Sequence, residues 1–251
     1  MEHINHHPAI VQPNSPLRRI PASFNVRQRA YFDGIVYSIE IADMAYRRLR
    51  ETLWSISKRI DEDDDIQEYV HAVADAWLAI DSLNRLRALC MSAPLIAEAE
   101  YCRGFVQNLH PVKGMRNNVQ HLDGRIDIMV RKKQPVWGSL SWAVVTDNPP
   151  TKARLHTLVA GSFRPGEHEM VDIGGRSFLM PVDAITLTAG GESLELSELM
   201  VATADFTALA EADLSQLIQP GEPYTRDLHL MTEVTFNDSQ VPSGKLKITF
   251  S

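Results

Sequence analysis

The chain has 251 residues, 44% of them hydrophobic and 23% charged, enough to bury one large core or two ordinary ones, so disorder is not the default reading. Its two cysteines, Cys90 and Cys102, exclude a disulfide framework and a CxxC redox or metal pair, and read as buried thiols of a reducing compartment. The net charge of −7 is uneven: residues 1–133 hold 18 Lys and Arg against 17 Asp and Glu, and residues 134–251 hold 7 against 15, so any nucleic-acid contact is expected in the first half.

The first residues, MEHINHHPAIVQPNSP, contain no apolar run of signal-peptide length, and no later stretch reaches the roughly 18 apolar residues of a membrane span. A cytoplasmic protein without membrane contact is expected. Four prolines, Pro8, Pro13, Pro16 and Pro21, make residues 1–27 an irregular arm that packs on the fold or on a partner. His3, His6 and His7 lie in this arm, a poor place for a defined metal site.

A helical domain is predicted over 28–133. Ile35, Ile39, Ala42, Ala45, Leu49, Leu53, Ile56 and Ile60 recur at steps of three and four, an apolar stripe along a first helix of some eight turns. The acidic run Asp61 to Asp65 reads as the charged start of the next helix, favouring its dipole, with a metal-binding loop as the alternative. Ile66, Val70, Val73, Trp77, Ile80 and Leu83 mark a second helix ending near Leu89. A third begins near Pro94 with Ile96, Ala99, Phe105 and Leu109. Pro111 opens a fourth, with Met115, Val119 and Leu122, predicted to end at Gly124. Four helices on short connections predict a four-helix bundle.

After Arg131-Lys132-Lys133 and Pro135 the period switches to that of strands. Segments 137–145, 152–160, 168–173, 176–180 and 184–188 are rich in Val, Ile, Leu and Thr, and Gly174-Gly175 and Gly190-Gly191 sit at hairpin-turn positions. A helix over 199–217 and strands over 227–236 and 245–250 complete the expectation. The fold class predicted is α+β: a helical bundle, then an acidic β-rich domain over 134–251, sandwich- or barrel-like, with one helix and its own core.

Chemistry concentrates in VKGMRNNVQHLDGRID, which puts Arg116, Asn117 and His121 on the fourth helix. The run Arg-Asn-x-x-x-His late in a small all-α bundle resembles the motif of the HEPN (higher eukaryotes and prokaryotes nucleotide-binding) ribonuclease superfamily, found in bacterial toxins and phage-defence proteins. The resemblance covers roughly residues 28–130. It implies metal-independent RNA cleavage, with no cofactor, by two helical subunits whose motifs share one cleft, hence a homodimer through the helical half.

The residue chemistry is compatible with this. RNA supplies its own nucleophile in the 2′-hydroxyl, so His121 would act as base, Arg116 as phosphate clamp, and Asn117 would orient the substrate or Arg116. Positions five apart on an ideal helix diverge by about 140°, so the long arginine or a second subunit must close the gap. Lys113, Arg125, Arg131, Lys132 and Lys133 are the candidate RNA-binding cations, set against Asp123 and Asp127. The competing reading makes Arg116 a structural partner of Asp123 or Asp127, His121 a packing residue, and the chain a non-catalytic dimeric helical scaffold with a ligand- or protein-binding β half. Asp75 and Asp81, flanking Trp77, make no acid/base pair. No GxSxG, GxGxxG, P-loop or HExxH motif occurs.

Overall fold

A computed structural model describes residues 8–59, 66–120, 122–146, 152–163, 170–171, 178–179, 181–219, 221–224, 227–229 and 231. Helix α1 spans Val26–Lys58, and a capping box starts it: Asn25 accepts from the Gln28 amide while Gln28 accepts from the Asn25 amide. Its predicted stripe is the core, since Ile35, Ile39, Ala42, Ala45, Leu49 and Leu53 are all fully buried. Helix α2, Ile66–Cys90, buries Ala72, Ala76, Ala79, Ile80, Leu83 and Leu86. Alanines let the two helices approach closely, and a β-carbon on Gly34 would meet Leu89 at 3.1 Å, which sets the start of α1 against the end of α2.

Beyond Cys90 the expected third helix is delayed. Residues 91–99 form turns, and α3 is Glu100–Asn108, followed by α4, His110–Gln120, and α5, Leu122–Arg131. Among the described residues the helical half therefore holds five α-helices in place of the four-helix bundle expected. Gly124 does not end a helix; it sits inside α5, where an added β-carbon would meet nothing within 4 Å. The real stop is Lys133, at φ +55°, with Lys133 N donating to Val130 O at 3.1 Å and Gln134 N to Met129 O at 2.9 Å. That pair of bonds is a Schellman cap, with lysine where glycine is usual.

Strands β1 (Ser139–Val145), β2 (Ala153–Val159), β3 (Val182–Ala189) and β4 (Glu192–Glu195) form one antiparallel sheet in the order β2-β1-β3-β4. Gly190-Gly191 turns β3 into β4, as its position predicted; β4 itself, a polar ESLE, was not expected as a strand. Between the pairs Ser141↔Thr186 and Ala143↔Asp183, β1 contributes one residue and β3 two, a bulge at which Ala184 adopts φ +54°. Helix α6, Leu196–Leu217, follows at once. Of the other expected strands, residues 170–171, 178–179, 227–229 and 231 are described and none is in a strand; the remainder, like Gly174-Gly175, Asp61 to Asp65 and His3, His6 and His7, lie outside the described residues.

The expectation of two separate cores does not hold. One apolar cluster runs from Leu17 and Phe32 through Leu83 and Met115 to Leu140, Trp142, Ile185, Leu187 and Phe206. One sheet face, carrying Leu140, Trp142, Val144 and Leu158, joins this cluster, and Ala143, Leu155 and Ala184 on the opposite face gather Val171 and Phe178 into a smaller one. Phe206 of α6 stacks on Phe105 of α3 at 4.3 Å between centroids.

Polar bonds close the seam between α1 and the sheet. Arg50, 3% exposed, donates Nε to Val182 O at 3.0 Å and Nη2 to Leu179 O at 3.4 Å. Trp142 Nε1 donates to Ser57 Oγ at 2.9 Å, and Ser197 Oγ accepts from both Tyr46 and the Ile185 amide at 2.9 Å. The proline-rich arm packs on the fold, with Val11, Leu17 and Ile20 buried and Ser15 donating to Glu211 of α6. Cys90 and Cys102 are free, buried thiols.

Candidate functional site

Helix α4 owes its orientation to two buried residues, Val112 and Met115, three apart and both fully buried. Pro111 occupies its first turn, where no backbone donor is missed. With that face fixed inward, Arg116 falls at the edge of the core and Lys113 at the surface. Arg116 Nε donates to Asp81 Oδ1 of α2 at 2.8 Å, and Arg85 binds the other oxygen of the same carboxylate. Two guanidinium groups thus share one carboxylate, leaving an excess of positive charge. The Arg116 and Asp81 side chains are 28% and 27% exposed, so the pair borders solvent.

The partner of Arg116 is therefore neither Asp123 nor Asp127 but an aspartate 35 residues upstream. Asp75, by contrast, belongs to the frame: Arg48 of α1 holds it with Nη2 at 2.5 Å and Nε at 3.3 Å. Asn117 is half-buried beside Arg116. His121 lies outside the described residues, and α4 ends one residue before it. His110, which with Arg103 makes another Arg-to-His pair seven residues apart, is exposed at the start of α4.

The remaining candidate cations group around α5. Arg131 is the last residue of that helix, Lys132 and Lys133 form its cap, and all three are exposed. Their place has a structural cause of its own, since cations at a helix C-terminus complement its dipole. The cap fixes them in space, which a solvated linker would not. Arg125 is half-exposed and engaged with a neighbour. Ile126, Ile128 and Val130 on the same helix are 42%, 42% and 48% exposed.

One feature escaped the sequence. Tyr69, Val73, Trp77, Asp81 and Arg85 follow one another at steps of four along α2, a ridge in which each residue is turned about 40° from the last. The upper part of that row, with Val70 and Ala74, walls a groove of about 780 Å³ whose other side is Trp137 and residues 158–162 at the end of β2. Trp77 Nε1 donates to Trp137 O at 3.2 Å, tying α2 to the segment that follows the α5 cap. The signal was present in the spacing, but Trp77 was read as core and Asp81 as inert.

Among the described residues no group of three or more His, Cys, Asp or Glu side chains is placed to hold a metal ion, and no helix is long and apolar enough to cross a membrane. No family model matches the chain, and no curated protein or solved structure is significantly similar to it.

Proposed function

We propose that the chain is a metal-independent endoribonuclease of the HEPN type, acting in the cytoplasm as a homodimer through its helical half, as toxins and phage-defence effectors of that kind do. The observation that supports it is the Arg116 guanidinium: anchored at Nε by Asp81, shared with Arg85, and bordering solvent beside exposed Lys113. An arginine oriented in this way presents planar donors to a phosphate without first losing rotamer freedom. In the reaction the RNA 2′-oxygen attacks the adjacent phosphorus, His121 takes the 2′ proton, Arg116 stabilises charge on the phosphoryl oxygens, and the bond from phosphorus to the 5′-oxygen breaks as that oxygen takes a proton from solvent water. The product is a 2′,3′-cyclic phosphate. Asn117 orients the attacked phosphate.

Arg116→Ala and His121→Ala should each lower cleavage of single-stranded RNA by about 10²- to 10³-fold. Thermal stability should stay near wild type, cleavage should persist in EDTA, and His110→Ala should be silent. A second reading has its own support, because the Asp81 bridge also fastens α2 to α4, as a non-catalytic scaffold requires. Wild-type protein that cuts no RNA, with variants that only lower the melting temperature, would establish that reading. A monomer in light scattering at micromolar concentration would remove the shared cleft.

A further inference from the structure

We propose that the groove between α2 and the end of β2 binds the bases of a single-stranded RNA segment, and that the strand runs from there along α2 to the phosphate held at Arg116. This deepens the ribonuclease reading and rests on it for the second half of the path only.

The groove has the chemistry of a base-stacking platform. Tyr69, Trp77 and Trp137 line it together with Val70 and Val73, and its volume of about 780 Å³ lies within the ordinary range for ligand sites. Trp137 is 46% exposed and Val70 59%, a large apolar surface left open to solvent. Aromatic faces accept any base, which suits a strand bound without regard to sequence.

Charge selects the occupant. Arg131, Lys132 and Lys133 are exposed, held by the Schellman cap, and end four residues before Trp137. Glu68, the acid in the first turn of α2, is paired with Arg59, while Asp61 to Asp65 just before that turn lie outside the described residues. An apolar, aromatic groove whose Trp137 follows three capped cations by four residues matches a polyanion that carries flat apolar faces. An uncharged peptide adding to the β2 edge would use the groove and leave the three cations idle.

The path to the scissile phosphate is set by helix geometry. Trp77 and Asp81 are four residues apart on one face of α2, about 6 Å along the axis. Asp81 is the residue that holds Arg116. A base stacked on Trp77 therefore brings the neighbouring backbone to the Asp81–Arg116 pair. Trp77 and Trp137 would fix the register of cleavage, and Arg131 to Lys133 would hold the backbone on the other side.

The test is binding of an octauridylate to the full chain, read by tryptophan quenching and by anisotropy of a labelled copy at several salt concentrations. Trp137→Leu should weaken binding about 10-fold, and Trp137→Phe should restore most of it. Lys132→Ala with Lys133→Ala should weaken binding and flatten its salt dependence. Val70→Asp, at an exposed position that folding does not need, should act like Trp137→Leu. Arg116→Ala should leave octauridylate bound while abolishing cleavage. Binding that depends on Trp137 in a protein that cuts nothing would uphold the groove and sink the ribonuclease reading. Cleavage and binding indifferent to Trp137→Leu and Val70→Asp would sink the groove and leave the ribonuclease. Saturable quenching by a short apolar peptide, with none by octauridylate, would overturn the proposal in favour of strand addition at β2.

Discussion

Arg50 and Arg116 are the same residue type in two settings. Arg50 sits inside the seam between α1 and the sheet, 3% exposed, its guanidinium spent on the carbonyls of Val182 and Leu179. Arg116 sits where α2 meets α4, 28% exposed, with Nε on a carboxylate that a second arginine also claims. The first satisfies one buried and one half-buried backbone acceptor, so it is structure. The second has a solvent-facing side and an excess of charge, so it is free to meet an anion.

The contrast predicts unequal costs. Arg50→Met should lose about 3 kcal/mol of unfolding free energy, because the buried Val182 carbonyl and the half-buried Leu179 carbonyl lose their donor; urea titration measures it. Arg50→Lys should recover little, since an ammonium cannot reproduce the fork. Trp142→Phe, which shrinks a fully buried ring and removes the bond to Ser57, should cost about 2 kcal/mol. Arg116→Ala should cost under about 1 kcal/mol, and a double-mutant cycle with Asp81→Ala should return a coupling of about 0.5 kcal/mol, discounted for solvent screening. If Arg116→Ala unfolds the protein as readily as Arg50→Met, the distinction collapses and Arg116 is a frame residue.

The smallest effect is one of slope. His156 lies over Trp142 with ring centroids 5.2 Å apart, and burial, then Arg154, holds its pKa below the usual histidine value. The unfolded chain therefore binds more protons near pH 6, and stability is lost as pH falls from about 6.5 through the folded value. Burial raises the carboxyls of Asp33 and Glu40, which act in the opposite sense, their contribution fading as pH rises through their folded values. The reading is thus the difference between wild type and His156→Phe, which keeps the ring against Trp142: its unfolding midpoint should fall less between pH 7 and pH 5.

Local pattern carried the long elements. The α1 stripe was legible because burial repeats along one helix face for many turns, whereas its Asn25 cap fell in the segment read as an irregular arm; α6 and three of the four strands followed from similar runs. Gly124 misled because glycine was read as a stop where a solvent-facing helix tolerates it at about 1 kcal/mol. Strand β4 was missed because ESLE has no apolar alternation, its place being set by the Gly190-Gly191 turn and pairing with β3. The seam had no sequence signature at all: Arg50 and Val182 are 132 positions apart. Arg116 was legible as a candidate from its neighbours, whereas its partner was not, since Asp81 reaches it only through the packing of α2 on α4. The aromatic groove needed the same information, a wall from α2 and a wall from β2.

That separation of 132 positions also has a meaning in time. A ribosome adding about 5 to 20 residues per second delivers α1 on the order of ten seconds before Val182 and Ser197 exist to cover it. Through that interval the nascent helix shows a face whose permanent occupants are Tyr46, Arg50 and Ser57, residues that water can solvate. An aliphatic side chain at position 50 would leave the Val182 carbonyl without its donor in the finished seam, and it would also leave the waiting helix adhesive to chaperones and to neighbouring nascent chains. The arginine keeps the unfinished surface wet until the sheet arrives to dry it.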